Sequence, residues 1–159
     1  MISGNDITLD KIDLSILRFM QQNARMTNAD LARELEMAPS AVLERVKKLE
    51  QKEVILQYTA RISPAAVQQK LLAFIFMKSS EGMGSNNTAK ELAKIPEVQE
   101  VHHIAGDDCY LVKVRTADSS SLMNLMRNTF SHIPNILSTR TTIVLETVKE
   151  EQQLVIPEK

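Results

Sequence analysis

Residues 27–49, TNADLARELEMAPSAVLERVKKL, decide the fold. Thr27 with Asp30 three residues later resembles a capping box with Asp in the usual Glu place, and Leu31, Ala32 and Leu35 supply the buried face of a short helix ending near Met37. Pro39 suits the first turn of a following helix, where its missing N–H costs nothing. Val42, Val46 and Leu49 then return at helical spacing as that helix's inner face. Two short helices separated by about four residues form a helix-turn-helix arrangement.

Upstream, Asp10 is a plausible N-cap, and Ile12, Ile16, Phe19 and Met20 form one apolar stripe of an earlier helix that breaks at Asn23-Ala24-Arg25. A three-helix unit is therefore expected over residues 1–53. Val54 to Ile62 is rich in β-branched and aromatic residues and predicts a strand, so residues 54–70 are read as a linking strand and short connection.

The rest alternates in type. Leu71 to Lys78 suits a buried strand, and a loop follows at residues 82–87. Thr88 to Ile95 reads as a helix with Ala89, Leu92 and Ala93 inward, closed by Pro96. Val98 to Ile104 and Tyr110 to Arg115 read as strands around Gly106, Ser119 to Ile133 as a helix stopped by Pro134, and Ile136 to Val148 as a long final strand. The order βαββαβ over residues 71–149 is ferredoxin-like, which makes the chain α+β. Residues 150–159 are mostly polar and read as a mobile or partner-clasping tail.

Composition narrows the function. At 159 residues, 43% apolar and 25% charged, the chain has an ordinary globular balance and room for two small domains. No apolar run is long enough to span a bilayer, and the N-terminal residues, with Asp6 and Asp10, lack the pattern of a secretion signal, so a cytoplasmic protein is expected. The single cysteine, Cys109, excludes an intramolecular disulfide. Net charge is −1, with nine basic against nine acidic residues up to Ile62 and ten against eleven after it. Bulk charge thus does not announce nucleic acid, and any DNA binding must come from local clustering on more than one copy of the module.

Such a cluster exists on the second helix of the helix-turn-helix. If Val42, Val46 and Leu49 are buried, the opposite face carries Ser40, Ala41, Glu44, Arg45, Lys47 and Lys48, which could enter a major groove. Arg can bond bidentately to guanine, Lys and Ser can hold phosphates, and Ala41 permits close approach. Arg45 and Lys48 are the foremost candidates. A plain solvated face, with Glu44 paired to Lys48, is the competing reading.

Taken together, Leu9-Asp-Lys-Ile-Asp13, Ile16-Leu17, Asn28-Ala-Asp-Leu-Ala32, Leu43-Glu-Arg-Val-Lys-Lys-Leu49, Gly106-Asp-Asp-Cys-Tyr-Leu111 and Thr139-Arg-Thr141 make the chain resemble the leucine-responsive/asparagine-responsive (Lrp/AsnC, feast/famine) regulators across roughly its whole length. The resemblance implies a winged helix-turn-helix, a linking strand, and a "regulation of amino-acid metabolism" (RAM) domain that dimerises through its sheets and assembles to tetramers or octamers. Partners implied are double-stranded DNA and an amino-acid effector, with no cofactor, no metal and no membrane. Ala38 stands where the family has Ser or Thr, with Ser40 as a substitute cap, and Glu36, Glu53 and Gln57 stand where glycines are common.

Gly106 sits between regular elements, as a turn needing positive φ or a close ligand approach would require, although a plain hairpin explains it equally well. An amino acid needs an acceptor for its ammonium and donors for its carboxylate. Asp107 could take the first. The backbone of Ala105 to Asp107 and the hydroxyls of Thr139 and Thr141 could hold the second, with His103 and Asp108 beside them. Arg140 is a ligand clamp or an interface ion pair.

Cys109 reads as a small buried hydrophobe, and His103, Asp107 and Cys109 are too dispersed for a zinc pattern. His102 and His103 alternate across a strand, so only one faces any given pocket. Met20, Met26, Met37, Met77, Met83, Met123 and Met126 read as core. No catalysis is required. The alternatives are a DNA-organising architectural protein with little effector response, and a sirohaem-decarboxylase-like enzyme with His102 or His103 as acid.

Overall fold

The computed structural model describes residues 7–82 and 84–158. It divides into two compact units, one of residues up to Arg61 together with those from Glu150 onward, the other of Ile62–Lys149.

The first unit is helical: α1 Lys11–Gln22, α2 Asn28–Glu34 and α3 Pro39–Gln51. Its entries are capped as the residue types dictate. Asp10 and Asp13 form one reciprocal capping box and Thr27 and Asp30 another. Pro39 opens α3, whose N-cap Ala38 makes no side-chain bond, and Ser40 is the second residue inside the helix. Ile16, Leu31, Ala32, Val42, Val46 and Leu49 form the core, each large aliphatic side chain contributing ~1.5–3 kcal/mol of burial. Glu36 and Glu53 adopt φ of 53° and 55° at the ends of α2 and α3. Left-handed backbone favours glycine at both places.

Residues 54–62 form no strand. Val54 and Ile55 pack half-buried on the helical core, while Leu56, Tyr58 and Ile62 stay exposed. A strand exists only through a partner's hydrogen bonds, and none of the four described strands pairs with this segment. The residues from Glu150 onward lie with the helical unit. The Gln21 side chain donates to the Leu154 carbonyl and accepts from the Leu154 N–H, each at 2.8 Å, and Gln153 donates to the Gln21 carbonyl at 3.1 Å.

The second unit contains β1 Leu71–Ser79, α4 Asn87–Leu92, β2 Val98–His103, β3 Tyr110–Thr116, α5 Ser119–Asn128 and β4 Ile136–Ile143. The antiparallel sheet has the order β2-β3-β1-β4, as βαββαβ connectivity demands. Ala73, Ile75 and Met77 alternate onto the face covered by α4 and α5, where Tyr110, Val112, Val114, Leu92, Leu122, Leu125 and Phe130 join them.

Three local expectations are corrected. The final strand ends at Ile143 rather than Val148, because the Val144 N–H bonds the Leu72 carbonyl and β1 begins at Leu71, leaving nothing further to pair with. The helix expected to reach Ile133 stops at Asn128, and a 3₁₀ turn at Phe130–His132 carries Phe130 into the core. Ala93 is exposed as the C-cap of α4, and Thr88, one turn before Leu92, takes the inward place. Of the methionines, Met77 is fully buried and Met20, Met26, Met37 and Met126 pack against the two cores. Met123 is half exposed, and Met83 lies outside the described residues.

Candidate functional site

Two regions carry the residues singled out above, and each is built within one unit.

In the helical unit, α3 presents Ser40, Leu43, Glu44, Lys47 and Lys48 to solvent. Ala41 and Arg45 are half-buried on the flank turned towards the start of α1, where a cleft of about 490 Å³ is lined by Asp10, Asp13, Ala41, Glu44, Arg45 and Lys48 among others. The Arg45 guanidinium is already engaged there. Its Nη1 lies 2.7 Å from Asp10 Oδ2 and 2.8 Å from Asp13 Oδ1. These bonds raise the guanidinium's pKa further above its ordinary value, the Asp10 bond contributing most. Asp10's carboxyl is held below its ordinary range, first by the Asp13 backbone N–H and then by Arg45. One arginine thus ties the α1 capping box to the middle of α3.

Leu43 was not singled out by the sequence reading, yet it lies on the exposed stripe and is 40% exposed. Its spacing, three residues after Ser40 and four before Lys47, was the available signal.

In the sheet unit, residues 104–109 link β2 to β3. Gly106 has φ of +138°, and a Cβ built there meets nothing within 4 Å, so backbone conformation rather than crowding within the chain calls for glycine. Ala105, Gly106 and Asp107 are exposed. The His103 ring lies 5.1 Å from that of Tyr110, and His102 bonds Glu100 at 2.9 Å.

Asp108 is turned across the sheet. It pairs with Arg140 Nη2 of β4 at 2.9 Å, and that guanidinium sits 4.2 Å above the Phe76 ring. Arg140 is therefore an intrachain ion pair in this structure. Thr139 and Thr141 stand opposite Met77 and Ile75, on the face away from Arg140, and Met77 in turn stands opposite Tyr110. Two strand spacings, about 10 Å, separate Thr139 from the start of β3. The hairpin and these threonines are not brought into contact within one chain.

Cys109 is held by backbone: its N–H donates to the Met77 carbonyl at 2.8 Å, and its Sγ accepts from the Ser79 N–H at 3.4 Å. Nearby, Glu81 accepts from the Thr88 N–H, the Ser85 hydroxyl and the Tyr110 hydroxyl. Burial alone would raise this carboxyl's pKa, yet those bonds hold it below its ordinary value. The network pins the loop after β1 to the core beside the hairpin.

Comparison with known proteins agrees with both halves. Residues 9–56 match the winged helix-turn-helix DNA-binding family, and residues 72–154 match the Lrp/AsnC ligand binding domain. The chain is 36% identical over 152 residues to the leucine-responsive regulatory protein of Escherichia coli, covering 93% of this chain and 92% of that protein. Among solved structures, a feast or famine regulatory protein of Mycobacterium tuberculosis complexed with L-methionine superposes with a TM-score of 0.85 at 33% identity, covering 94% of this chain and 100% of that one. A Neisseria meningitidis transcriptional regulator in complex with L-methionine gives a TM-score of 0.84 at 30% identity, covering 92% and 96%. The chain belongs to the Lrp/AsnC family of transcriptional regulators. It is a DNA-binding regulator, α+β in class, with an N-terminal helix-turn-helix and a C-terminal RAM fold.

Proposed function

We propose that copies of this chain bind double-stranded DNA sequence-specifically through α3 and that a free amino acid, held at the 104–109 hairpin, shifts the equilibrium among homodimers and larger assemblies in the cytoplasm, at the nucleoid. The observation that carries the effector assignment is the hairpin itself. Gly106, in a backbone region open to glycine, exposes consecutive peptide groups, and Asp107 is exposed beside them while Asp108 is occupied by Arg140. Peptide N–H groups suit a carboxylate and Asp107 suits an ammonium. Thr139 and Thr141 lie too far across the sheet to join the same small molecule from the same chain, so they contribute from a second copy. A ligand bound between copies stabilises one assembly over another only by its preference for that assembly. The L-methionine complexes of two family members support an amino acid as the ligand class.

The test is a calorimetric titration of the purified chain with each amino acid, L-methionine first, read together with particle mass by light scattering. Saturable binding with a change in mass is expected. Binding of none of the twenty would remove the effector half of the proposal and leave a DNA-organising role in its place.

A further inference from the structure

Successive residues of an α-helix turn by about 100°, so positions 40, 43, 44 and 47 of α3 stay on one face while 41, 45 and 48 share a flank. The structure gives these sets different employment. Ser40, Leu43, Glu44 and Lys47 are exposed, whereas Ala41 and Arg45 turn towards the first turn of α1. Arg45's Nη1 alone touches both Asp10 and Asp13, at 2.7 and 2.8 Å. To read a base it would have to leave both, stranding two carboxylates beside a polyanion. The contact is also not the two-nitrogen fork with which arginine reads guanine. It is a point charge between two acids, a role that lysine's single ammonium can fill.

Leu43 is the odd member of the exposed stripe. A solitary exposed leucine is ordinary on a protein surface. This one, however, is flanked by Ser40, Glu44 and Lys47 on the helix that a helix-turn-helix lays into the major groove, where the thymine 5-methyl is the apolar group on display.

We propose that Arg45 is a positioning residue that fixes α3 against α1, and that bases are read by Ser40, Leu43, Glu44 and Lys47, with Leu43 packed on a thymine methyl and Glu44 accepting from a cytosine amine. This rests on the DNA-binding reading above and assigns its contacts.

The experiment is selection of binding sites from a random duplex pool by the full-length wild type, Leu43→Ala, Arg45→Lys, Arg45→Met and Asp10→Asn/Asp13→Asn, followed by affinity measurement on the wild-type site. Replacing one particular thymine per half-site by uracil removes its methyl. It should weaken wild-type binding about fourfold for each half-site altered, the loss expected for one buried carbon, and leave Leu43→Ala unmoved. Arg45→Lys should keep the affinity and the base preference. Arg45→Met and the double Asn variant should lose affinity alike on every duplex with the preference unchanged, and combining them should cost nothing more.

If Arg45→Met does not fold, Arg45→Lys decides. Loss of a guanine preference at one position in Arg45→Lys, or indifference of the wild type to uracil at every thymine, overturns the assignment. A wild-type chain that enriches no sequence overturns the DNA-reading proposal as a whole.

Discussion

Arg45 and Arg140 both look like ligand-binding arginines in the sequence, and both are found paired with aspartate. Their settings differ. Arg45 is 31% exposed and shared between two carboxylates of the α1 capping box, one of them only 16% exposed. Arg140 is 64% exposed and lies over an aromatic ring at the edge of a sheet, with one carboxylate partner that is itself 16% exposed. The first is embedded between helices and cannot change partner without loosening α3. The second keeps most of its guanidinium in water and has a single carboxylate to leave, so it can exchange Asp108 for another anion more cheaply than Arg45 can leave two.

The largest expected effect follows from the first arginine. Arg45→Ala should lower stability by about 1–2 kcal/mol, more than an exposed pair and less than a fully buried one, because two carboxylates, Asp13 among them largely buried, lose their counter-charge. Urea denaturation measures it, and a loss under about 0.3 kcal/mol would put Arg45 in the same class as Arg140.

Turns give the next contrast. The hairpin meets its positive φ with glycine, at Gly106, whereas the helical unit places Glu36 and Glu53 at φ of 53° and 55°. Each glutamate bears a left-handed cost of about 1–2 kcal/mol, partly offset by the greater unfolded-state freedom of glycine. Glu36→Gly and Glu53→Gly should therefore each raise stability by about 0.5–1 kcal/mol, whereas Gly106→Ala should lower it. Thermal unfolding of the three variants decides, and two stabilising signs with one destabilising sign are required.

Acid sharpens the same distinction. Asp10's pKa is depressed below its ordinary 3.8, so the stability it contributes is present above the unfolded value and is lost as pH falls through the folded one. Stability measured from neutrality down through about pH 4 and below should fall more steeply for wild type than for Asp10→Asn. The smallest effect is expected at the second arginine. Arg140→Ala should change stability by no more than about 0.5 kcal/mol, its consequence showing instead in the response to amino acids.

What could be read from the sequence follows from what is local. Caps, apolar periodicities and the order βαββαβ depend on residues within a few positions of each other, and Asp10, Thr27, Pro39 and the strand beginning at Leu71 all appear in place. Partners distant in the chain could not be read. Val54 to Ile62 has strand-forming residues but nothing in the sequence says that no strand lies alongside. Residues 146–148 continue the expected strand past the point where β1 has a residue to offer. Helical spacing placed Arg45 off the core face. It could not show that two carboxylates more than thirty positions earlier would meet it, although adjacent acids in a capping box are a natural seat for a cation. The Gln21 clasp on Leu154 likewise joins the two ends of the chain.

The proposed function places DNA reading and effector sensing in separate units coupled through assembly. It is tested most directly by fluorescence anisotropy of a labelled, selected duplex titrated with the chain, with and without a saturating amino acid identified by calorimetry, for wild type and Asp107→Ala. The amino acid should move the wild-type midpoint and not that of Asp107→Ala, while the two should bind DNA alike, within about twofold, in its absence. An Asp107→Ala chain that responds as wild type does, or a wild type whose DNA binding no amino acid alters, would contradict it.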